Sequence, residues 1–220
     1  MGEAELNIKN RELIIRSVIC IYGEAALPEL AEQIAQDIAS HWNGPQAKIR
    51  IGHNDFSVRF VIEGRYTPDL QPETVWHNDD PKMNFFRIEE FVMGNISFVD
   101  GIGCNTGYFK LDNLLQTSTT AAHEYGHTLG LRHPLITDIR GKEQPGIMYP
   151  RGTICDPHFQ YNPDAQPGTP GGTLNPVHRK VTSDDIEALR LDKLLFNEKN
   201  RGKVGAFTSV YHSKHSPPVV

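Results

Sequence analysis

The sequence predicts a mixed fold of helices and strands, of the α/β or α+β class. A run rich in β-branched apolar residues over 11–22 is followed by a stretch with helical periodicity, and two short runs with strand alternation come next. A second helical pattern begins near Thr117, far from the first. The order strand, helix, strand, strand is typical of helices packed on a sheet.

The amino-terminal half predicts one long helix among several strands. Apolar residues recur at spacings of three and four from Leu27 to Trp42, and Gly44-Pro45 ends that helix. The predicted strands cover residues 11–22, 47–51, 56–62, 85–92 and 96–99, with a further short candidate at 107–111. Residues 64–83 are polar and contain three prolines, which predicts a loop.

The carboxyl-terminal half predicts two helices separated by a long loop. Residues 121–129 supply good helix formers, and Ser118, Thr119 or Thr120 could cap the helix. Residues 150–177 contain ten prolines and glycines, which predicts an extended loop. A last helix is predicted from Thr182, at a capping-box pattern, through Leu195.

Length, charge and cysteine content limit the class of protein. A chain of 220 residues with 38% apolar residues suits one domain over 1–201, with 202–220 as a loose tail. The net charge of −5 argues against nucleic acid as a partner, and no apolar run is long enough to insert into a membrane. Cys104 and Cys155 could pair or stay free, and the sequence leaves both alternatives open.

The start of the chain bears on localisation. Residues 1–6 are acidic and lack the apolar segment of a secretory signal peptide. If Met1 is the natural start, the protein either remains inside the cell or leaves by a route without such a signal. The compartment stays open, with export favoured.

One motif carries the chemistry. Residues 123–133 read His-Glu-Tyr-Gly-His-Thr-Leu-Gly-Leu-Arg-His. Residues four apart on a helix differ in direction by about 40°, so His123 and His127 can reach the same zinc ion. Gly130 can end the helix in a left-handed conformation and return His133 to that ion. A lone HExxH pattern can arise by chance, but here the glycine and third histidine are also present.

Glu124 is the predicted catalytic base. It directly follows His123 but points away from the histidine pair, so it is not needed as a ligand. Three neutral histidines leave a zinc ion one open position for water, whose pKa the metal lowers to about 7. Glu124 would accept a proton from that water and pass it to the leaving nitrogen.

The pattern HExxHxxGxxH, followed by Gly146-Ile147-Met148-Tyr149-Pro150, resembles the metzincin clan of zinc metallopeptidases, and its methionine turn is most similar to that of matrixins. The resemblance implies that Met148 forms the floor of the metal site and that Tyr149 and Pro150 shape a substrate pocket. Residues 100–103 resemble the calcium-binding loop of matrixins, although an ordinary turn is the favoured alternative. Tyr108 stands near the position of a matrixin histidine that binds a second, structural zinc.

The resemblance further implies an α+β catalytic domain. Its upper lobe, about 1–130, would contain a twisted mixed sheet, a backing helix and the zinc helix. Its lower lobe, about 131–201, would be rich in loops and end with a helix. A protein or peptide substrate would lie extended in the cleft between the lobes and pair with an edge strand within 96–111.

The sequence therefore predicts an endopeptidase that depends on one zinc ion. Two alternatives remain: an inactive zinc-containing module that binds extended peptides, and a metal-dependent amidase acting on a non-protein amide. Deformylases also use an HExxH helix, but their third ligand is a cysteine upstream, and His133 makes Cys104 the poorer candidate here. The natural substrate, the immediate family and the oligomeric state are not indicated.

Overall fold

The computed structural model describes residues 1–115, 118–142 and 144–216. Its strands are β1 (Gly2–Asn7), β2 (Glu12–Tyr22), β3 (Lys48–Ile51), β4 (Asn54–Tyr66), β5 (Met83–Glu89), β6 (Phe98–Val99), β7 (Thr106–Lys110) and β8 (Arg201–Val204). Its α-helices are α1 (Pro28–Asn43), α2 (Pro72–Trp76), α3 (Thr120–Thr128) and α4 (Ser183–Ala188). Short 3-10 helices span Leu111–Asn113, Pro157–Phe159, Pro176–His178 and Leu191–Lys193.

The strands form one mixed sheet. The order is β3-β4-β2-β5-β7-β6, and β1 continues the sheet by pairing with β2 and β8. β2 runs parallel to β4 and β5, β5 runs parallel to β7, and the outer strands β3 and β6 pair antiparallel to their neighbours. The predicted mixed α+β class is confirmed, while the division into two lobes remains a prediction.

The main core lies between the sheet and the helices α1 and α3. The buried residues of α1 are those of the predicted stripe, including Leu30, Ile34, Ile38 and Trp42. Gly64 of β4 lets α1 approach closely, because a Cβ there would meet the backbone of Ala31 at less than 3.0 Å. The sheet and α1 therefore form the support on which α3 rests.

Several predicted boundaries were wrong. β1 and β8 were not predicted, because β1 is short, acidic and only half apolar. The predicted loop 64–83 contains the end of β4 and the short helix α2. The last helix begins with the predicted capping box of Thr182 and Asp185 but ends at Ala188 rather than Leu195, because Arg190 adopts a left-handed conformation (φ 50°).

Residues 205–216 follow β8 and contact the sheet through Tyr22 and Tyr108. Residue 202 falls inside β8, so the predicted boundary lies within a paired strand. The backbone N–H of His212 donates to the hydroxyl of Tyr22, and that of His215 donates to the hydroxyl of Tyr108. The looseness of the tail and the domain limits both remain predictions.

The long loop at 150–177 contains only isolated bridges and short 3-10 helices, as predicted. All three cysteines are free thiols, so Cys104 and Cys155 do not pair. Within the part of the chain that the structure describes, no helix has the length and apolar character needed to cross a membrane.

Candidate metal centre

Helix α3 is buried along its whole length and is held in a defined rotation. All nine of its residues are buried. The indole Nε1 of Trp42 donates to the carbonyl of Ala122 over 3.0 Å, and the hydroxyl of Tyr125 lies 2.8 Å from Oγ of Ser17. These contacts link α3 to α1 and to β2, so the helix face that carries His123 and His127 has one orientation.

The chain turns sharply after α3. Gly130 has a φ of 108°, a conformation that side chains rarely adopt, and its N–H donates to the carbonyl of His127. The N–H of Leu131 donates to the carbonyl of Gly126 over 3.0 Å, which closes the helix end. The turn returns the chain towards α3 and brings His133 beside the other two histidines, as the sequence predicted.

The three histidines converge on one point. Nε2 of His133 lies 3.1 Å from Nε2 of His123 and 3.1 Å from Nε2 of His127. The three ligand atoms all lie within 4.8 Å of one another. Ligands bound tetrahedrally to zinc at about 2.0–2.1 Å are separated by about 3.3 Å. The two separations that involve His133 are therefore close to those of a zinc site, and the third is no more than 4.8 Å.

The hydrogen bonds of two histidine Nδ1 atoms also favour a metal site. Nδ1 of His123 donates to the carbonyl of Ile147 over 2.7 Å, and Nδ1 of His127 donates to the carbonyl of Leu131 over 2.8 Å. Nε2 of His123 and Nε2 of His127 are then the unprotonated nitrogens of their rings, and each can donate its lone pair to a cation. Carbonyl partners of this kind orient histidine ligands in metal sites.

Burial favours the neutral form of the imidazoles, and His133 is the exposed member of the group. Burial, and then the charge of Arg179, hold the pKa of His123 well below 6.5. Burial also lowers the pKa of His127 and of His133. Neutral imidazole is the form that binds a metal ion, so the donor set fits a divalent cation.

The carboxyl group of Glu124 lies beside the histidines and is buried. Burial raises the pKa of Glu124 to about 8. Arg179 and Arg151 act in the opposite direction, because positive charges favour the carboxylate. A bound divalent cation would add to their effect.

Met148 packs against α3, and its role as the floor of a metal site remains a prediction. Its side chain is buried, and its sulfur packs against Gly126, between His123 and His127 in sequence. A Cβ added to Gly126 would approach Sδ of Met148 to less than 3.0 Å and Cζ2 of Trp42 to 3.2 Å. Only glycine therefore fits at this point of α3 without a movement of Met148.

Arg179 is a site residue that the sequence analysis missed. Its side chain is buried, and burial lowers its pKa to about 10, so it is charged at neutral pH. Nε donates to Oγ1 of Thr119 over 2.9 Å, and Nη1 donates to the carbonyl of Tyr149 over 3.0 Å. Nη1 also lies 3.0 Å from Nδ1 of His123. No periodicity or spacing marks Arg179, which follows the proline-rich and glycine-rich loop.

Two cavities flank the histidines. The first, of about 310 Å³, is named here the Arg179 pocket, and Thr120, His123, Glu124, Pro150, Arg151 and Arg179 contribute to its lining. The second, of about 410 Å³, lies on the other side of His123 and Glu124, beside His127 and β6. Residues 96 and 97 border both cavities, so the two form one cleft along the β6 edge of the sheet.

The predicted substrate-pocket residues and the predicted calcium loop lie around the three histidines as follows. Pro150 lines the Arg179 pocket, whereas the side chain of Tyr149 borders a neighbouring cavity and contributes only its carbonyl to Arg179. The carboxylate of Asp100 lies 2.9 Å from Nε2 of His212, and calcium binding at 100–103 remains a prediction. Among the described residues, His123, His127 and His133 are the single group of three or more potential ligands that converges.

A further cavity, of about 650 Å³, lies between β3 and α4. It is lined by charged residues such as Lys48, Arg50 and Asp184 and contains no histidine or cysteine. It is also separated from the histidines, so the cleft beside α3 is the better candidate for a reactive site.

Comparisons with known proteins give little further information. No protein-family model matches the chain, and no curated protein matches it. Five solved chains match the structure, one of them in a structure of myroilysin. That match covers 83% of this chain and 94% of the other, with 12% sequence identity and a TM-score of 0.37. A TM-score this low does not establish a common fold.

Proposed function

We propose that this chain is a zinc-dependent endopeptidase. The observation that carries the proposal is the convergence of three neutral histidine nitrogens beside the buried carboxyl group of Glu124, in a cleft bordered by an edge strand. His123, His127 and His133 would hold the ion. A zinc ion in this position would supply Lewis acidity towards a carbonyl group and towards water.

The cleft supports binding of an extended peptide. β6 is the last strand in the sheet order and pairs with β7 alone among the described strands. Both residues of β6 line the cavity that His123 and Glu124 also line. A substrate backbone could add to this edge as a further strand, which binds many sequences through main-chain hydrogen bonds. The scissile bond would then lie over the histidines.

Glu124 would move the protons of hydrolysis. Its carboxylate accepts a proton from the attacking water, whose oxygen forms the new bond to the carbonyl carbon. The carbon–nitrogen bond then breaks, and Glu124 donates the proton to the leaving amine. A neighbouring cation favours the carboxylate form that the first step needs, because it opposes the effect of burial on the pKa.

A peptide mixture tests this proposal. Zinc-loaded wild-type protein and Glu124→Gln would be incubated with acetylated and amidated peptides of varied sequence, and cleavage sites would be identified by mass spectrometry. We expect cuts by the wild type, a loss on the order of 100-fold or more in Glu124→Gln, and no cuts after chelation. Equal cleavage by both proteins would refute the role of Glu124. Peptide binding without cleavage would instead favour the peptide-binding module.

A further inference from the structure

Arg179 is a buried cation whose partners do not account for its charge. Only 4% of its surface is exposed. Its hydrogen bonds go to a hydroxyl, Oγ1 of Thr119, and to a carbonyl, that of Tyr149. Among the described residues no carboxylate forms an ion pair with it within 4.0 Å. The charge of Glu124 favours the guanidinium cation without forming a direct ion pair with it. A buried charge without a direct ion-pair partner is costly, so this arrangement suggests a partner from outside the chain.

Part of the guanidinium is free to bind that partner. A guanidinium has five N–H groups, and the structure gives one acceptor to Nε and one to Nη1. The contact of Nη1 with Nδ1 of His123 is not a good hydrogen bond, since that nitrogen donates to the carbonyl of Ile147. The two N–H groups of Nη2 have no acceptor among the described residues, and the side chain lines the Arg179 pocket.

A second arginine adds to the charge of this pocket. Arg151 is exposed at the rim, and its guanidinium donates to Oδ1 of Asn113 over 3.0 Å. Glu124 is the carboxyl group on the same wall, and its proposed role is to exchange protons with the reacting groups. The remaining lining is mainly apolar or small, so the two arginines determine the charge that the pocket accepts.

We propose that the Arg179 pocket binds a carboxylate of the substrate, and that a residue beside the cleaved bond is therefore aspartate or glutamate. This inference rests on the proposed peptidase function, since it assigns the substrate class of the same site. The pocket adjoins His123 and Glu124 on the side of Pro150 and Arg151. A carboxylate matches the planar fork of a guanidinium, and a charge-assisted bond of this kind is stronger than a neutral one.

A carboxylate can come from a side chain or from the end of a peptide, so the test uses three probes. Two acetylated and amidated octapeptides differ only in Glu or Gln as the fifth residue. The third probe is an acetylated pentapeptide that ends in Gln with a free carboxylate. Specificity constants would be measured with zinc-loaded wild-type protein, and dissociation constants with Glu124→Gln, which separates recognition from cleavage.

The variants compare Arg179 with a distant arginine. Arg179→Gln should remove the preference for the Glu octapeptide, whereas Arg50→Gln should keep it, because Arg50 is exposed on β3 at the opposite edge of the sheet. Zinc content and melting temperature would be measured for each variant. If Arg179→Gln does not fold, Arg151→Gln tests the carboxylate preference instead, because replacing an exposed side chain should not impair folding. It should reduce the preference about two- to five-fold.

We expect the wild type to prefer the Glu octapeptide over the Gln octapeptide by about 10- to 100-fold. A preference for Glu over Gln of less than two-fold, or no binding of either octapeptide, would overturn the proposed carboxylate pocket. Cleavage of both octapeptides at similar rates would do so while leaving the peptidase function intact. A stronger preference for the pentapeptide would overturn the side-chain assignment in favour of a terminal carboxylate. Binding preference without any cleavage would support the pocket while refuting the peptidase.

Discussion

The contact between Gly126 and Met148 allows a quantitative test of how α3 is supported. Replacement of a helical glycine by alanine normally stabilises a helix by about 1 kcal/mol. At position 126, however, the new Cβ would lie within 3.0 Å of Sδ of Met148 and 3.3 Å from its Cε. Overpacking of this kind costs about 1–3 kcal/mol. The sum predicts that Gly126→Ala lowers the free energy of unfolding by up to about 2 kcal/mol.

A double-mutant cycle isolates this contact. In a Met148→Ala background the sulfur is absent, so Gly126→Ala should instead raise the free energy of unfolding, towards the intrinsic gain of about 1 kcal/mol. The expected coupling between the two changes is therefore about 1–3 kcal/mol. Urea unfolding of the metal-free protein is the assay, since bound zinc would add its own stabilisation.

A control variant and the size of the coupling show whether Met148 supports α3. Gly152→Ala serves as the control, because an added Cβ there meets no atom within 4 Å and its backbone has no positive φ. It should change the free energy of unfolding by less than about 0.5 kcal/mol. A coupling between positions 126 and 148 below about 0.5 kcal/mol would mean that the sites are independent, and that Met148 does not support α3.

Three further predictions concern the cap, the core and the metal. Thr182→Ala should lower the free energy of unfolding by about 1 kcal/mol in urea titrations, because it removes the capping box of α4; no change would mean that the cap does not contribute. Tyr125→Phe should lower the free energy of unfolding by about 1–3 kcal/mol, because the buried hydroxyl of Ser17 loses one hydrogen-bond partner. The double variant with Ser17→Ala should lower it by less than the sum of the two single variants. Because burial holds the pKa of His123 well below 6.5, protons should compete with zinc only under acidic conditions. Zinc content after dialysis should then stay constant from about pH 8 to 6.5 and fall at lower pH, whereas loss of half the zinc by pH 7 would contradict this.

Sequence patterns predicted the helices and the histidine group, whose formation depends on residues that are near one another in the chain. The stripe from Leu30 to Trp42 marks α1 because one helix face is buried, and the motif at 123–133 marks the metal group because helix geometry and one glycine bring its histidines together. The capping box at Thr182 is equally local. In each case the residues that define the feature are close in sequence.

Features that depend on distant partners were missed. β1 and β8 exist because they pair with each other and with β2, and their own residues carry little pattern. The short length of α4 depends on Arg190 leaving the helical conformation, which the apolar spacing through Leu195 did not reveal. Arg179 belongs to the site only because its segment returns to α3, 56 residues after His123.

The contact between Trp42 and α3 gives the protein an intrinsic optical signal. The chain has two tryptophans. Trp42 is buried, with its ring centroid 5.7 Å from that of Tyr125 on the metal-binding helix, whereas Trp76 is 51% exposed. Iodide quenches an exposed indole and spares a buried one, so the emission that survives quenching comes from Trp42. Fluorescence of the unlabelled protein can therefore follow the docking of α3 while metal is added or removed.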